Sequence, residues 1–269
     1  MKRVIKMKKE NIQVENLEIG EGTIIEDSVI IRGISGAAKR VVIGDNCYLG
    51  KNVQIICDDF TLGDYSKIHH NTTVHGYKPC TIGHNAWIGQ MCIIDSIGGV
   101  TIGNNCGIGA SSQLWSHIKY GDTLEGCRFL SENSLTVGHD VWFVGHCIVS
   151  PITAADKSMA MVGSVVTKNM EENHIYAGTP AKSISDKIGF QFNEVSNEEK
   201  RKKLTEYMEQ AGVSEDKIKI VESTSAFNFE DDISYFDVDS RTYTKKRSLD
   251  EINFMKFLLP EKGKFTPYE

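Results

Sequence analysis

The sequence predicts an all-β chain: a parallel β-helix of hexapeptide repeats with a small α+β appendage at its carboxyl end. The first observation behind this is a six-residue beat, an aliphatic lead residue followed by Gly and a small residue. It reads Ile43-Gly44-Asp45-Asn46-Cys47, Leu49-Gly50-Lys51-Asn52-Val53, Ile82-Gly83-His84-Asn85-Ala86, Ile88-Gly89-Gln90-Met91-Cys92, Ile102-Gly103-Asn104-Asn105-Cys106 and Val137-Gly138-His139-Asp140-Val141. A hexapeptide period is the mark of a parallel β-helix. The second observation is longer in range. Lead residues chain from coil to coil as Ile43, Leu62, Ile82, Ile102, Val137 and Ala154, at steps of 19, 20, 20, 35 and 17 residues. Three hexads make about 18, so each ordinary step is one triangular turn of three short strands. The third observation is that the beat stops after Lys187.

Each hexad alone cannot bury its lead residue, whereas stacked coils form a continuous apolar column. The Gly after the lead fits a tight corner, where φ is expected to be unusual and a side chain would crowd the next coil. Earlier hexads, Ile19-Gly20 and Ile25-Glu26, predict a start near residue 17, with a loop at residues 33–38 before the regular part. Cys47, Cys92, Cys106 and Cys147 fall four places after the leads Ile43, Ile88, Ile102 and Phe143. A free Cys there behaves as a small hydrophobe pointing into the coil. Without a CxxC pair, the cysteines predict buried reduced thiols rather than a zinc or redox motif.

The 35-residue step exceeds its neighbours by about 15 residues, which must project as a loop over residues 116–136. This loop opens with Trp115-Ser116-His117 and holds Tyr120, Asp122 and Phe129, a composition that predicts order.

Composition sets outer bounds. The formal net charge of −6 gives no general reason to bind nucleic acid or an anionic membrane. The basic runs at residues 200–203 and 245–247 read as solvated faces. The amino-terminal stretch, residues 1–9, is basic but is followed by no apolar segment, so neither a signal peptide nor a membrane span is predicted, and the cytoplasm is the expected compartment.

A second signature accompanies the hexads: Val162-Gly163-Ser164-Val165-Val166-Thr167-Lys168, then Ile175-Tyr176-Ala177-Gly178-Thr179-Pro180-Ala181-Lys182. With the repeats, it closely resembles the end of the left-handed parallel β-helix in hexapeptide-repeat acyltransferases, in particular the sugar and xenobiotic O- or N-acetyltransferase branch. Members usually read AGSVV and AGNPAK here, so Val162 and Thr179 depart mildly. The resemblance covers residues 17–187. It implies a homotrimer with active sites between subunits and acetyl-CoA as acyl donor, without a metal. The donor would run near Gly145, Val162, Gly163, Ser164, Thr167, Lys168, Pro180 and Lys182. Small side chains on extended backbone would admit the pantetheine arm, and Lys168 or Lys182 would meet phosphates.

Acyl transfer from a thioester needs a base beside the nucleophile and a donor where the oxyanion develops. His117 is the expected base: it sits at the mouth of the long loop, where relatives in the resembled family carry their catalytic His. The coil ruler supplies companions. His75 and Asp95 each lie seven residues before the next lead and stack on one corner, with Trp115 next in that column. Asp95 is expected to hold an acceptor hydroxyl or amine, and Trp115 to offer a ring face. His75 and Asp122 complete the expected acceptor side, and Asp122 or Glu125 is a candidate to orient His117. The acceptor predicted is a sugar or surface glycan, in a polysaccharide-forming role. Because no helical domain precedes the coils, serine is disfavoured as acceptor.

Two rival readings stand beside this. The stretch His70-Asn71-Thr72-Thr73-Val74-His75 resembles the two-histidine segment of γ-class carbonic anhydrases. A third His from an earlier coil is needed for zinc there, and none precedes His69. The other is a non-catalytic β-helix scaffold.

After residue 187, Ser196-Asn197-Glu198-Glu199 reads as a capping box opening a helix to about Ala211, closed by Gly212. Residues 217–222 alternate as a strand, and Ser248-Leu249-Asp250-Glu251 caps a second helix stopped by Pro260. Phe227, Phe229, Tyr235, Phe236 and Tyr243 supply enough aromatic mass to dock on something. The predicted boundary between helix and appendage is 187/188.

Overall fold

In the computed structural model, which describes residues 11–268, the hexads fold into triangular coils of short strands. The basic amino-terminal stretch lies outside the described residues. The strands stack into three parallel sheets, each contributed by one side of the triangle. The first side runs Val14–Ile19, Ala38–Ile43, Asp59–Leu62, Cys80–Ile82, Val100–Ile102, Leu135–Val137 and Thr153–Ala154. Its pairings are Ile19↔Ile43, Ile43↔Leu62, Leu62↔Ile82, Ile82↔Ile102, Ile102↔Val137 and Val137↔Ala154, the column that the lead-residue spacing predicts. The architecture is a parallel β-helix, as the hexads predict. Coiling begins slightly earlier than the hexads suggest, because Ile12 already bridges to Ile31 and the first strand opens at Val14.

Lead residues of all three sides, among them Ile31, Ile43, Leu49, Ile55, Leu62, Ile68 and Ile82, are fully buried and form one core column. Burying each removes about 1.5–3 kcal/mol worth of apolar side chain from water.

The glycines that follow the leads do not carry the left-handed conformations. Those fall three residues after the lead instead, at Asn46, Asn52, Asn71, Asn85, Asn105, Ser111 and Asp140, with φ between 55° and 66°. Asn and Asp tolerate that region better than other side chains. Gly is required by coil spacing: a Cβ at Gly44 would lie 2.4 Å from Asp64 Oδ1, at Gly63 2.5 Å from His84 N, and at Gly109 1.9 Å from Val144 O. The expectation of unusual φ at these glycines is thus corrected, and the expectation of crowding stands.

At one corner, the residue two places after the lead builds a polar ladder. Asp45 Oδ1 accepts from Glu21 N, Asp64 Oδ1 from Asp45 N, His84 Nδ1 from Asp64 N, Asn104 Oδ1 from His84 N, His139 Nδ1 from Asn104 N, and Asp156 Oδ1 from His139 N. Every distance is 2.7–2.9 Å.

The small slot four places after the lead also has a chemical task. Thr23, Ser66 and Thr72 donate their hydroxyls to the carbonyls of Gly44, Gly83 and Gly89 at 2.7–2.8 Å. Cys47, Cys92 and Cys106 place Sγ 3.0–3.3 Å from the carbonyls of Gly63, Gly109 and Gly138. They are small donors as well as small hydrophobes.

The contact boundary between units falls at Phe192/Asn193. A short helix, Ser185–Ile188, follows the last strands, and Phe192 N donates to Asn173 Oδ1 at 2.8 Å. These contacts hold residues 188–192 to the coils.

The second unit has the helix Asn197–Ala211 with both halves of the Ser196 capping box present and Gly212 left-handed at φ 67°. Its sheet joins Ile218–Val221, Ser234–Asp237, Thr242–Tyr243 and Thr266–Pro267. The helix Leu249–Leu258 is capped by Ser248. Glu251 turns from its own cap to accept from Ser234 Oγ, Lys246 N and Arg247 N, and burial pushes its carboxyl above the ordinary range. Phe236 stacks on Tyr243 at 5.2 Å, with Phe254 and Phe265 edge-on at 5.3 and 5.1 Å. Phe236 and Tyr243 therefore form this unit's own core and do not dock elsewhere. Phe227 and Phe229 lie instead in a surface cluster with Tyr268.

Replacing Gly109 with Ala is expected to destabilise the coils by about 1–3 kcal/mol, because the methyl group would meet a backbone carbonyl that cannot swing away. Chemical denaturation of the variant against the parent measures this. Cys47, Cys57, Cys80, Cys92, Cys106 and Cys147 are buried and Cys127 is partly exposed; burial pushes the Cys47 thiol up to about 12. Alkylation of the native protein is expected to label Cys127 alone, with the other six reacting only in denaturant, as mass spectrometry of labelled peptides reads directly.

Candidate active site

Three strands on the third side of the triangle, Thr73–Gly76, Ile93–Asp95 and Gln113–Leu114, stack with Val74, Ile94 and Leu114 inward. Asp95 pairs with His75, as the coil ruler predicts. Beyond Leu114 the chain leaves the triangle through Trp115, Ser116 and His117. It returns by a short antiparallel pairing of Ile118–Lys119 with Leu130–Ser131, and coiling resumes at Leu135. Loss of the repeat at this one corner puts His117 at the foot of the hairpin.

His117 Nδ1 lies 2.8 Å from Asp95 Oδ1. The carboxylate accepts, so Nδ1 carries a proton, and in the neutral imidazole Nε2 then presents the lone pair. The His117 side chain is 20% exposed and that of Asp95 5%. Asp95 is also tied by Ser116, whose N–H and hydroxyl both reach Oδ1. Asp95 is thus the orienting partner of His117. The expectation that it holds the acceptor is corrected, because the carboxylate is buried and occupied. Asp122 and Glu125 do not orient the base: Asp122 Oδ1 accepts from Leu124 N and Glu125 N in a local turn of the exposed loop.

Trp115 and His117 have ring centroids 6.1 Å apart. His75 faces Tyr77 at 6.5 Å. Across the hairpin Lys119 pairs with Glu132, whose carboxyl is held below the usual range first by that hydrogen bond, with weaker pulls from Lys78 and His117. The Trp115 ring beside His117 and the Lys119–Glu132 pair across the hairpin offer an aromatic face and charged ends, a composition suited to a polyhydroxylated ligand.

The predicted donor strip lies on the final coils. Gly163 N donates to Gly145 O at 2.9 Å, both glycines have positive φ, and Val162 is 62% exposed. Thr167, Lys168, Pro180 and Lys182 are exposed; Thr179-Pro180 turns between the antiparallel strands Ile175–Gly178 and Ala181–Ser183. Ser164 does not fit the strip. It is fully buried, with its hydroxyl on Met161 O at 2.7 Å, because it fills the inward small slot of its hexad.

The two histidines of the His70–His75 segment have separate surroundings: His70 Nδ1 accepts from Lys51 N, and His75 faces Tyr77. The neighbouring His69 packs beside Trp87 at 4.9 Å, with burial lowering its pKa. Among the described residues no group of three or more His, Cys, Asp or Glu is placed to hold a metal ion.

No family model matches the sequence. Galactoside O-acetyltransferase of Escherichia coli (strain K12) is 36% identical over 53 residues, which is 19% of this chain and 26% of that protein. The match thus spans about a quarter of that relative's length. Among solved structures, AntD, an N-acyltransferase from Bacillus cereus in complex with dTDP and 3-hydroxybutyryl-CoA, is 16% identical at a TM-score of 0.38, covering 66% of this chain and 84% of that one. The polySia specific acetyltransferase NeuO is 19% identical at a TM-score of 0.34, covering 70% and 91%. A maltose O-acetyltransferase from Clostridium difficile 630 is 20% identical at 0.34, covering 52% and 70%.

Repeat and coil define a parallel β-helix of hexapeptide repeats. Its resemblance to the hexapeptide-repeat sugar acetyltransferases is supported over 53 residues by the match to galactoside O-acetyltransferase. No helix of the described residues is long and apolar enough to cross a membrane.

At alkaline pH, nitrogen-resolved NMR of the imidazoles is expected to show His117 as the Nδ1–H tautomer in the native protein. Asp95→Ala should convert it to the Nε2–H form that free histidine prefers. An unaltered His117 spectrum in that variant would contradict the pairing.

Proposed function

We propose that this chain is a CoA-dependent acyltransferase that moves an acetyl group from acetyl-CoA to a hydroxyl or amine of a sugar or surface-glycan acceptor. The observation that carries the reading is the His117–Asp95 pair, oriented with Nε2 free at the foot of the hairpin. The 53-residue likeness to galactoside O-acetyltransferase supports a sugar acceptor.

In this mechanism Nε2 of His117 takes the proton from the acceptor as its oxygen or nitrogen attacks the thioester carbonyl. Asp95 stabilises the imidazolium through Nδ1–H. When the tetrahedral intermediate collapses, the carbon–sulfur bond breaks and the proton passes from Nε2 to the departing thiolate. No covalent bond to the protein forms. Trp115, His75 and Tyr77 would flank the acceptor, and the exposed strip from Val162 to Lys182 would carry CoA, with Lys168 or Lys182 on its phosphates. Exposed Ile24, Trp87 and Trp142 on the second side of the triangle support burial of that side in a homotrimer. The proposed setting is cytoplasmic.

Thiol release from acetyl-CoA, followed across amino sugars, nucleotide sugars and surface glycans, tests the reading. His117→Ala should lower turnover by about 10²–10⁴-fold, the usual worth of a general base, while calorimetry still shows CoA binding. Unchanged turnover would remove His117 from the mechanism, and absence of CoA binding by the native protein would favour the scaffold reading.

A further inference from the structure

The residue just before His117 has no task in the chemistry above. Ser116 is fully buried, yet its hydroxyl donates towards Asp95, 2.6 Å from the carbonyl and 2.9 Å from Oδ1. Its own N–H reaches Asp95 Oδ1 at 3.2 Å, and its Oγ accepts from Gly98 N at 2.8 Å. Elsewhere in the coils, buried Thr23, Ser66 and Thr72 spend their hydroxyls on glycine carbonyls. Ser116 meets a carbonyl too, that of Asp95, but its hydroxyl and its N–H also lie against a carboxylate that in turn holds an imidazole.

We infer that Ser116 is the positioning residue of the His117–Asp95 pair, an assignment that rests on reading His117 as the base. Asp95 Oδ1 accepts from Ser116 N and His117 Nδ1 and shares the one Ser116 hydroxyl proton with the Asp95 carbonyl, so the carboxylate has little freedom to rotate away from the ring. Oγ also couples the pair to the neck of the hairpin. A Cβ on Gly98 would stand 2.2 Å from Ser116 O and 2.6 Å from Asn133 O, so the outgoing and returning stems both close on that glycine. Catalytic groups act only when held close to the productive geometry, and small displacements cost large factors in rate.

Ser116→Ala in the full chain is expected to lower kcat by about 10- to 100-fold. KM for acetyl-CoA should stay within about twofold, since the donor strip is untouched. The His117 imidazole should lose its pure Nδ1–H tautomer signature. Ser116→Thr, which keeps the hydroxyl, should recover both. A folded alanine variant with native kcat and native tautomer signal would overturn the assignment. A fall in melting temperature with the His117 signal unmoved would do the same, since it marks a merely structural serine. Should the alanine variant not fold, Ser116→Cys, of similar volume but a weaker donor, carries the same expectation. If the native protein releases no thiol with any acceptor, the acyltransferase reading fails, and the tautomer comparison still decides the role of Ser116.

Discussion

Adjacent strands in a hydrogen-bonded ladder sit about 4.8 Å apart, and in this molecule every coil must meet the next at that distance along all three sides. The rest of the structure answers to this spacing. Glycine follows the lead residue because a methyl group there would collide with the coil above. At one corner the residue after it reaches one rung along to satisfy a main-chain N–H, which selects Asp, Asn or His there. The inward slot takes a compact group, and at several levels a Ser, Thr or Cys there also donates to the glycine carbonyl facing it. A composition that looks like simple repetition is a set of separate solutions to one distance.

The same spacing builds the candidate site. Asp95 and His75 share a column because their strands are in register, and Ser116 reaches Asp95 because the chain stays in contact with the coil below for one residue after leaving the triangle. His117 then leaves the ladder with its ring still tethered. The contrast with the corner ladder is informative. His84 and His139 accept at Nδ1 from the main chain, whereas His117 donates there to a carboxylate. One residue type thus plays opposite hydrogen-bonding roles at Nδ1, accepting where the repeat continues and donating where it stops.

Much of the coil was legible before any coordinates, because a fixed period constrains which residues can stack, and the lead column from Ile43 to Ala154 is the observed register. His117 was legible as well, through the one overlong step. Its partner was not. Counting along the column aligned Asp95 with Trp115, but the decisive contact runs diagonally to His117, a side-chain relation that spacing does not encode. Ser116 and Gly98 were hidden for a further reason: their contacts exist only once the 35-residue step closes on its own neck. In the appendage the capping residues announced both helices, while Phe236 and Tyr243 misled, since aromatic mass alone does not reveal whether a small unit will spend it on its own interior.

The corner ladder also has a direction. At each level the main-chain N–H belongs to the earlier coil and the accepting side chain to the later one. A chain emerging from the ribosome therefore always ends in a turn whose rung awaits the next turn to be synthesised. Growth by whole turns is consequently inexpensive in evolution, since an inserted turn bearing Asp, Asn or His at that corner both completes its predecessor and offers the same unfinished edge to its successor.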